Sequence, residues 1–258
     1  MNNILEEKTI VDVILPNFNK EKFLEESINS VVLQTFQNWK MYIIDDNSTD
    51  NSLEIIKKFS NLKNITIIKL KKNKGPSFCR NYAMRISKSK YISFIDSDDC
   101  WSKNKLKSQI SFMEKNKYNF TYTDYTPFFQ SADKKIIKEK TSLKESFNFK
   151  TFMRNSSINT TTMIISRSIL GTNRFKKIKL LEDYLFKCKL LKSNIVAKKL
   201  NEDLATYRIL NKSRSSQRLK NVYWLWKINK NFNKLNLIDN IISICSISYN
   251  SIKKYGIK

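Results

Sequence analysis

Residues 11–52 carry the clearest structural pattern of the chain: VDVILPNFNKEKFLEESINSVVLQTFQNWKMYIIDDNSTDNS. A strand-like apolar run at 10–15 precedes a helical segment, and a second strand-like run follows at 41–45. Apolar residues of the helical segment recur at i, i+4, i+7 and i+8, as in an amphipathic helix: Leu24, Ile28, Val31 and Val32. Because strands joined by a helix pair in parallel through a right-handed crossover, this stretch predicts an α/β sheet.

The same alternation continues as far as residue 125. Further strand-like runs lie at 64–70, 91–95 and 118–125, with helical segments that begin at Pro76 and span about 102–117. This regular order predicts an α/β fold with a mostly parallel, Rossmann-like sheet and helices on both faces.

The sequence changes character after residue 125. Residues 126–160 are polar and poorly periodic, which favours a mobile loop, and periodic segments return at 161–170, 180–193 and 205–210. From 213 to 258 two helical segments follow. We therefore predict one domain made of two halves, 1–125 and 126–212, and a C-terminal helical extension.

The composition removes several mechanisms. The chain has 258 residues, 48 Lys plus Arg, 23 Asp plus Glu and no His, for a net charge of +25. Without His there is no Ser-His-Asp catalysis, Cys-His catalysis or His-ligated zinc, so proton transfer falls to carboxylates, Lys, Tyr or Cys. The four cysteines lack CxxC spacing and suit reduced thiols. The sequence shows neither a secretory signal nor a membrane-spanning run.

Unusual polar clusters follow three of the predicted strands. They are PNFN at 16–19, DDNSTD at 45–50 and DSDD at 96–99. In a parallel sheet the carboxyl ends of the strands meet at one edge, where ligands bind. Three acidic or amide-rich turns there exceed what loop capping requires, so we predict a ligand site at this edge.

The acidic turns each allow two interpretations. DSDD suits a divalent cation that bridges protein oxygens and a diphosphate, although the same residues are able to cap the helix at 102–117. In DDNSTD the later residues suit helix capping, whereas Asp45 and Asp46 suit acceptance of hydrogen bonds from a base or a ribose.

Two later motifs supply other charges. In NKGPSFCRN, residues 73–81, Lys74, Arg80 and a helix N-terminus would stabilise a phosphate; the alternative is a Gly75–Pro76 turn with solvated cations. In LEDYLF, residues 181–186, a partly buried Asp183 with a raised pKa would serve as a general base. The alternative there is a surface acidic pair.

These motifs, in this order and spacing, resemble those of family 2 glycosyltransferases, a large inverting group with a GT-A fold. The resemblance covers residues 9–117 closely and 155–212 loosely. It implies a nucleotide-sugar donor, with a UDP-sugar as the first choice, a divalent metal (Mn²⁺ or Mg²⁺), and transfer with inversion at the anomeric carbon.

The resemblance also implies roles for individual residues. Asp183 would deprotonate the acceptor hydroxyl, and Glu182 would orient it or contact the acceptor. Asp98 and Asp99 would hold the metal. Many members have a His where this chain has Leu210, so the metal shell here would be thinner. The nucleotide-sugar would contact Pro16, Asn17, Phe18, Asn19, Glu21, Asp46, Lys74, Arg80, Asn81, Asp96, Ser97 and Asp98.

The resemblance further implies a glycan or lipid-linked acceptor in bacterial cell-surface polysaccharide or lipooligosaccharide synthesis, in the cytoplasm or at the inner face of the cell membrane. Two alternatives stay open: a catalytically inactive GT-A-like scaffold, and a nucleic-acid or anionic-surface binding module, which the charge of +25 and the aromatic residues among lysines at 223–232 favour. The extension either packs on the domain or contacts an anionic membrane through Val222, Leu225, Trp226 and Ile228.

Overall fold

The computed structural model describes residues 10–130, 135–137, 139–210 and 218–255. Its first half alternates strands and helices, as predicted. The strands are β1 (Val11–Asn17), β2 (Trp39–Asp45), β3 (Ile65–Lys69) and β4 (Tyr91–Phe94). The helices are α1 (Glu21–Val32), α2 (Ser52–Lys57) and α3 (Pro76–Ile86).

After β4 the chain mixes short elements with four long ones. In chain order they are β5 (Cys100–Trp101), α4 (Lys105–Asn116), β6 (Phe120–Gln130), β7 (Lys135–Ile137), β8 (Ser146–Phe147), α5 (Phe149–Met153), a 3₁₀ turn (Thr160–Thr162), β9 (Ile164–Ser166), a second 3₁₀ turn (Arg167–Ile169), α6 (Glu182–Lys192) and β10 (Ala197–Ile209). The extension consists of α7 (Arg218–Ile228), a π turn (Asn229–Asn233) and α8 (Leu237–Tyr255).

One sheet runs through the domain in the order β3-β2-β1-β4-β9-β6-β10-β5. The first four strands pair in parallel, as do β6 and β10. The short strand β9 lies antiparallel between β4 and β6, and β5 lies antiparallel to β10. The parallel prediction is thus right for β1 to β4, whereas the rest of the sheet is mixed.

Burial explains why the first half folds as its sequence predicts. All seven residues of β1 are buried, as expected for a central strand covered on both faces. Helix α1 covers the sheet with Leu24, Ile28 and Val31, three of the four predicted face residues. This rigid half holds the carboxyl ends of β1, β2 and β4 together at one edge.

The prediction of an irregular loop at 126–160 is wrong in its secondary structure. Strand β6 continues to Gln130, and β7, β8 and α5 follow within this range. Phe147, Phe152 and Ile158 are buried. Phe147 and Phe152 lie in elements of only two and five residues, and Ile158 lies between elements, so no periodicity marks them in the sequence.

The C-terminal extension forms the two predicted helices. Leu225 and Ile228 of α7 are buried, so this part packs on the domain and two of the four residues considered for membrane contact are inaccessible. Within the described ranges, no helix has the length and apolar character needed to cross a bilayer.

Lys105, at the start of α4, is completely buried. Its Nζ donates to Ser93 Oγ at 2.7 Å and lies 3.9 Å from the centroid of the Trp101 ring. Burial lowers the pKa of Lys105 well below its usual value, so at pH values between the folded and the unfolded pKa the unfolded chain binds more protons than the folded chain does. The Lys105 amine therefore lowers stability at neutral pH, and this cost shrinks as the pH rises toward the unfolded pKa of about 10.4.

We therefore expect Lys105→Met to stabilise the protein at pH 7 by roughly 1–4 kcal/mol, as when buried charged groups are replaced by apolar ones of similar volume. Urea unfolding at pH 7 and pH 9.5 measures this, and the gain should shrink at the higher pH. The matched control is Lys107→Met, because Lys107 is exposed on the same helix. Equal effects of the two substitutions would contradict the assignment.

Candidate active site

The polar residues after β1 and β2 form one hydrogen-bonded group at the sheet edge. Asn17 Nδ2 donates to Asp45 Oδ1 at 2.9 Å, and Asp45 also accepts from Ser48 N and Oγ. The Asn19 side chain accepts from Thr49 N at 2.8 Å. Asp45 therefore holds the two strand ends together, and its role is structural.

Asp46 fixes the loop that leads into α3. This buried carboxylate accepts from Lys74 N and from Gly75 N, each at 2.7 Å. Gly75 has φ +86°, in the left-handed region that favours glycine. Lys74 Nζ lies 4.2 Å from the Phe78 ring centroid. Asp46 thus places Lys74 and the N-terminus of α3 at the edge where the motifs meet.

Arg80 links α3 to two acidic motifs. The side chain is 6 % exposed, and its Nη2 donates to Asp96 Oδ1 at 2.6 Å while Nη1 lies 3.7 Å from Glu182 Oε1. Burial opposes the charge of Arg80, but Asp96 and Glu182 outweigh it, so the pKa of Arg80 is raised. The solvated-cation interpretation is therefore wrong for Arg80. Among the described residues, its buried Nε has no hydrogen-bond acceptor.

Asp98 lies at the accessible side of the DSDD turn. Its side chain is 18 % exposed, and its Oδ2 accepts from Lys20 Nζ at 2.5 Å. Burial raises the pKa of Asp98, Lys20 lowers it in part, and the nearby Asp96 adds to the rise. Helix α4 begins only at Lys105, so the alternative in which DSDD caps that helix is wrong.

Asp99 points into the protein. It is fully buried, its Oδ2 accepts from Thr161 Oγ1 at 2.5 Å, and its Oδ1 accepts from Arg208 N at 2.9 Å. Burial and the neighbouring Asp98 and Asp96 raise the pKa of Asp99 well above its usual value. With both oxygens engaged inside the fold, Asp99 holds the turn in place.

The end of β10 is tied to the same turn. Arg208 Nε donates to the Asp98 carbonyl at 2.8 Å, and its Nη2 donates to Glu26 at 2.5 Å. Leu210, in the position of the family His, comes two residues later. This arrangement brings the 205–210 segment to the DSDD turn.

Asp183 lies in the first turn of α6, beside the buried Glu182. Its side chain is 37 % exposed, and its Oδ2 accepts from Lys187 Nζ at 2.8 Å and from Thr160 Oγ1 at 3.3 Å. Burial raises the pKa of Asp183, but Lys187 and Arg80 outweigh it, so the pKa is lowered below its usual value. The predicted rise is wrong in direction, because the cation of Lys187, one helical turn later, stabilises the charged form of Asp183. The surface-pair alternative is also wrong for Glu182.

The remaining predicted site residues differ in burial and in contacts. Pro16 and Ser97 are buried at the same edge, whereas Phe18 is 44 % exposed. Glu21 and Asn81 make structural contacts: Glu21 accepts from Asn51 N, and the Asn81 amide exchanges two hydrogen bonds with the backbone of Phe175.

Sequence reasoning missed four residues of the site: Lys20, Thr161, Lys187 and Arg208. Of these, Lys187 had a visible signal, its i, i+4 spacing from Asp183.

A divalent cation fits this edge only if a bound diphosphate and water supply some of its coordinating oxygens. Within the residues that the structure describes, no three Asp, Glu or Cys side chains form a metal-binding group. Asp98 and Asp96 present hard oxygen donors next to each other, and an additional cation would favour their charged forms. Such a pair suits Mg²⁺ or Mn²⁺ when the other ligands come from a diphosphate and water.

The mostly parallel sheet, with acidic turns at its carboxyl edge, is a GT-A-like α/β fold. The chain belongs to glycosyl transferase family 2, whose model matches residues 12–180. It is thus a glycosyltransferase by family, and its fold is GT-A-like, as the sequence predicts.

Two relatives match over most of the chain. The putative teichuronic acid biosynthesis glycosyltransferase TuaG of Bacillus subtilis is 30% identical over 96% of this chain and 98% of its own length. The Escherichia coli UDP-Glc:alpha-D-GlcNAc-diphosphoundecaprenol beta-1,3-glucosyltransferase WfgD is 30% identical over 85% of each chain.

Two solved structures share the fold. The S. aureus TarS 1-349 structure in complex with UDP-GlcNAc has a TM-score of 0.72 at 20% identity, covering 95% of this chain and 73% of that one. The mannosyltransferase PcManGT from Pyrobaculum calidifontis, in complex with GDP-Man and Mn²⁺, has a TM-score of 0.68 at 12% identity, covering 98% of this chain and 77% of that one.

Proposed function

We propose that this protein transfers a sugar from a UDP-sugar to a hydroxyl of a glycan or lipid-linked acceptor, with inversion at the anomeric carbon. One observation carries the proposal: the accessible carboxylate Asp183 is joined through Glu182 and Arg80 to the DSDD turn at the same sheet edge. A base and a diphosphate site therefore lie in one connected network.

The donor assignment has two supports. The name of WfgD includes UDP-Glc, and the TarS neighbour was solved with UDP-GlcNAc. In this chain, the exposed Phe18 ring suits stacking on a base. Lys74, the N-terminus of α3 and the unpartnered Arg80 Nε suit the negative charge of a diphosphate.

The reaction is a single displacement. The acceptor oxygen forms a bond to the anomeric carbon while the bond from that carbon to the UDP oxygen breaks on the opposite face. The acceptor proton passes to the Asp183 carboxylate, and the electron pair of the broken bond leaves with UDP. Because Asp183 has a lowered pKa it is a weak base, so it takes the proton as the new bond forms.

Metal binding would be the task of Asp98, with Asp96 beside it, and Asp99 would support the turn from within. A Mn²⁺ or Mg²⁺ ion, when bound, neutralises charge on the diphosphate. Lys20 now pairs with Asp98 and would contact the diphosphate once a cation takes its place, since both groups compete for the same carboxylate.

Calorimetric titration with UDP, GDP, dTDP and CMP, with and without Mn²⁺, tests the site. We expect UDP to bind with assistance from Mn²⁺, and Asp98→Asn to weaken that binding by about tenfold or more. Asp239→Asn is the matched control, because it makes the same chemical change on α8, outside the proposed site. Binding of none of these nucleotides, or an unchanged affinity in Asp98→Asn, would refute the assignment.

Lys187 makes the proposed base sensitive to mutation. Its Nζ is buried and also donates to Ile158 O at 2.7 Å. Removing this charge in Lys187→Met should raise the pKa of Asp183, so the acid limb of the pH–rate profile should move up by at least about one unit. Lys189→Met, on the same helix, is the control. A loss of rate at all pH values without a shift of the limb would contradict this coupling.

We place the reaction in cell-surface polysaccharide synthesis, in the cytoplasm or at the inner face of the cell membrane. The names of TuaG and WfgD, which refer to teichuronic acid and to GlcNAc-diphosphoundecaprenol, support this setting. A lipid-linked acceptor would bring the enzyme to the bilayer surface.

A further inference from the structure

Helix α8 buries two polar residues, Asn240 and Ser243, and exposes several apolar ones. Ser243 is completely buried, accepts from Asn229 Nδ2 at 2.9 Å and donates to Met153 O at 2.6 Å. Asn240 is buried and its amide donates to Trp226 O. By contrast, Ile238 is 70 % exposed. Packing on the domain therefore does not explain the outward apolar residues.

These outward residues form one continuous surface, which we call the α8 stripe: Ile238, Ile241, Ile242, Cys245, Tyr249 and Ile252, all exposed. At 100° per residue they fall within an arc of about 100°, and they extend for about 21 Å along the helix. A contiguous exposed apolar surface of this kind marks an interaction site.

The net charge of the C-terminal sequence indicates which partner suits the stripe. Residues 213–258 contain nine Lys and Arg and one acid, Asp239, so this segment carries 9 − 1 = +8. Asp239 itself lies 3.6 Å from Arg154. Two copies of such a surface would repel each other, whereas an anionic bilayer offers both an apolar interior and negative head groups.

We propose that the α8 stripe docks onto an anionic lipid bilayer, with α8 lying along the membrane surface. This inference rests on the proposed function for its purpose, because docking would bring the site to a lipid-linked acceptor. The binding itself requires neither donor nor acceptor. It also differs from contact through α7, whose Leu225 and Ile228 are buried.

Co-sedimentation of the full chain with liposomes of phosphatidylglycerol and phosphatidylcholine in equal parts tests the docking. The triple variant Ile238→Ser, Ile241→Ser, Tyr249→Ser removes exposed side chains only, so it should fold. We expect its partition coefficient to fall by about tenfold or more, because binding scales with buried apolar area. Binding of the wild type should weaken with salt and on pure phosphatidylcholine.

The matched control replaces three exposed apolar residues elsewhere: Leu33→Ser, Ile137→Ser and Val196→Ser. It should bind liposomes as the wild type does. Unchanged binding of the α8 variant, or an equal loss in the control, would overturn the proposal. A wild-type dimer in sedimentation velocity that the α8 variant dissociates would identify the stripe as a contact between copies, which also overturns it.

The two proposals fail separately. If UDP binds the wild type and the α8 variant equally while only the wild type binds liposomes, both stand. Liposome binding with no affinity for any nucleotide would remove the proposed function and leave the docking surface in place.

Discussion

Asp183→Asn should reduce the rate of sugar transfer by about 10³-fold or more, within the range that positioned general bases supply. The amide is similar in size to the carboxylate but does not accept the acceptor proton. Since Arg80 contacts Asp96 and Glu182 directly, its place in the site should survive the substitution. The affinity for UDP should therefore stay within about twofold, because the loss is confined to the transition state.

The measurement compares the transfer rate and the calorimetric affinity for UDP in the variant with those of Glu54→Gln, which neutralises an exposed carboxylate on α2. The control should retain both properties. A variant with full transfer activity would remove Asp183 from its role as base. A variant that loses UDP binding as well would show that Asp183 acts by holding the site together.

Arg80→Met should cost about 3–5 kcal/mol of the free energy of unfolding, the usual consequence of removing one member of a buried ion group. The guanidinium neutralises both Asp96 and Glu182 at the edge of the sheet. Methionine fills similar volume but leaves these carboxylates without their cation. The same substitution should weaken UDP binding, because the two motifs lose their shared anchor.

Urea unfolding measures this loss, with Arg85→Met as the control, because Arg85 is exposed on the same helix over Tyr82. Arg80→Lys should recover part of the stability. Lysine keeps the positive charge but lacks the planar guanidinium that contacts Asp96 and Glu182 together. Equal stabilities of Arg80→Met and Arg85→Met would contradict the view that Arg80 joins the motifs.

The first half of the fold is predictable from sequence because each element buries a regular pattern. The β1 residues are all buried, and α1 shows its stripe at helical spacing. The position of β9 is not predictable in this way. Its three residues, Ile164–Ser166, lie antiparallel between β4 and β6. No strand–helix–strand pattern in the sequence indicates this pairing.

The site was predictable in its motifs but not in its contacts. Sequence places acids after β2 and β4, yet it does not show that Asp99 turns inward to Arg208 while Asp98 turns toward Lys20. Those directions depend on residues about 80 to 110 positions away, which meet only in the folded sheet. The pKa of Asp183 depends in the same way on Lys187 and Arg80.

Proton NMR of the reaction products tests directly whether the protein transfers sugar with inversion. The protein is incubated with Mn²⁺ and UDP-α-glucose or UDP-α-GlcNAc, with and without a GlcNAc-diphospholipid, and the anomeric signal is followed from the first minutes. We expect release of UDP and a product, sugar or glycoside, that is first formed as the β anomer. An α-configured product would contradict inversion, and UDP binding without any turnover would identify an inactive scaffold.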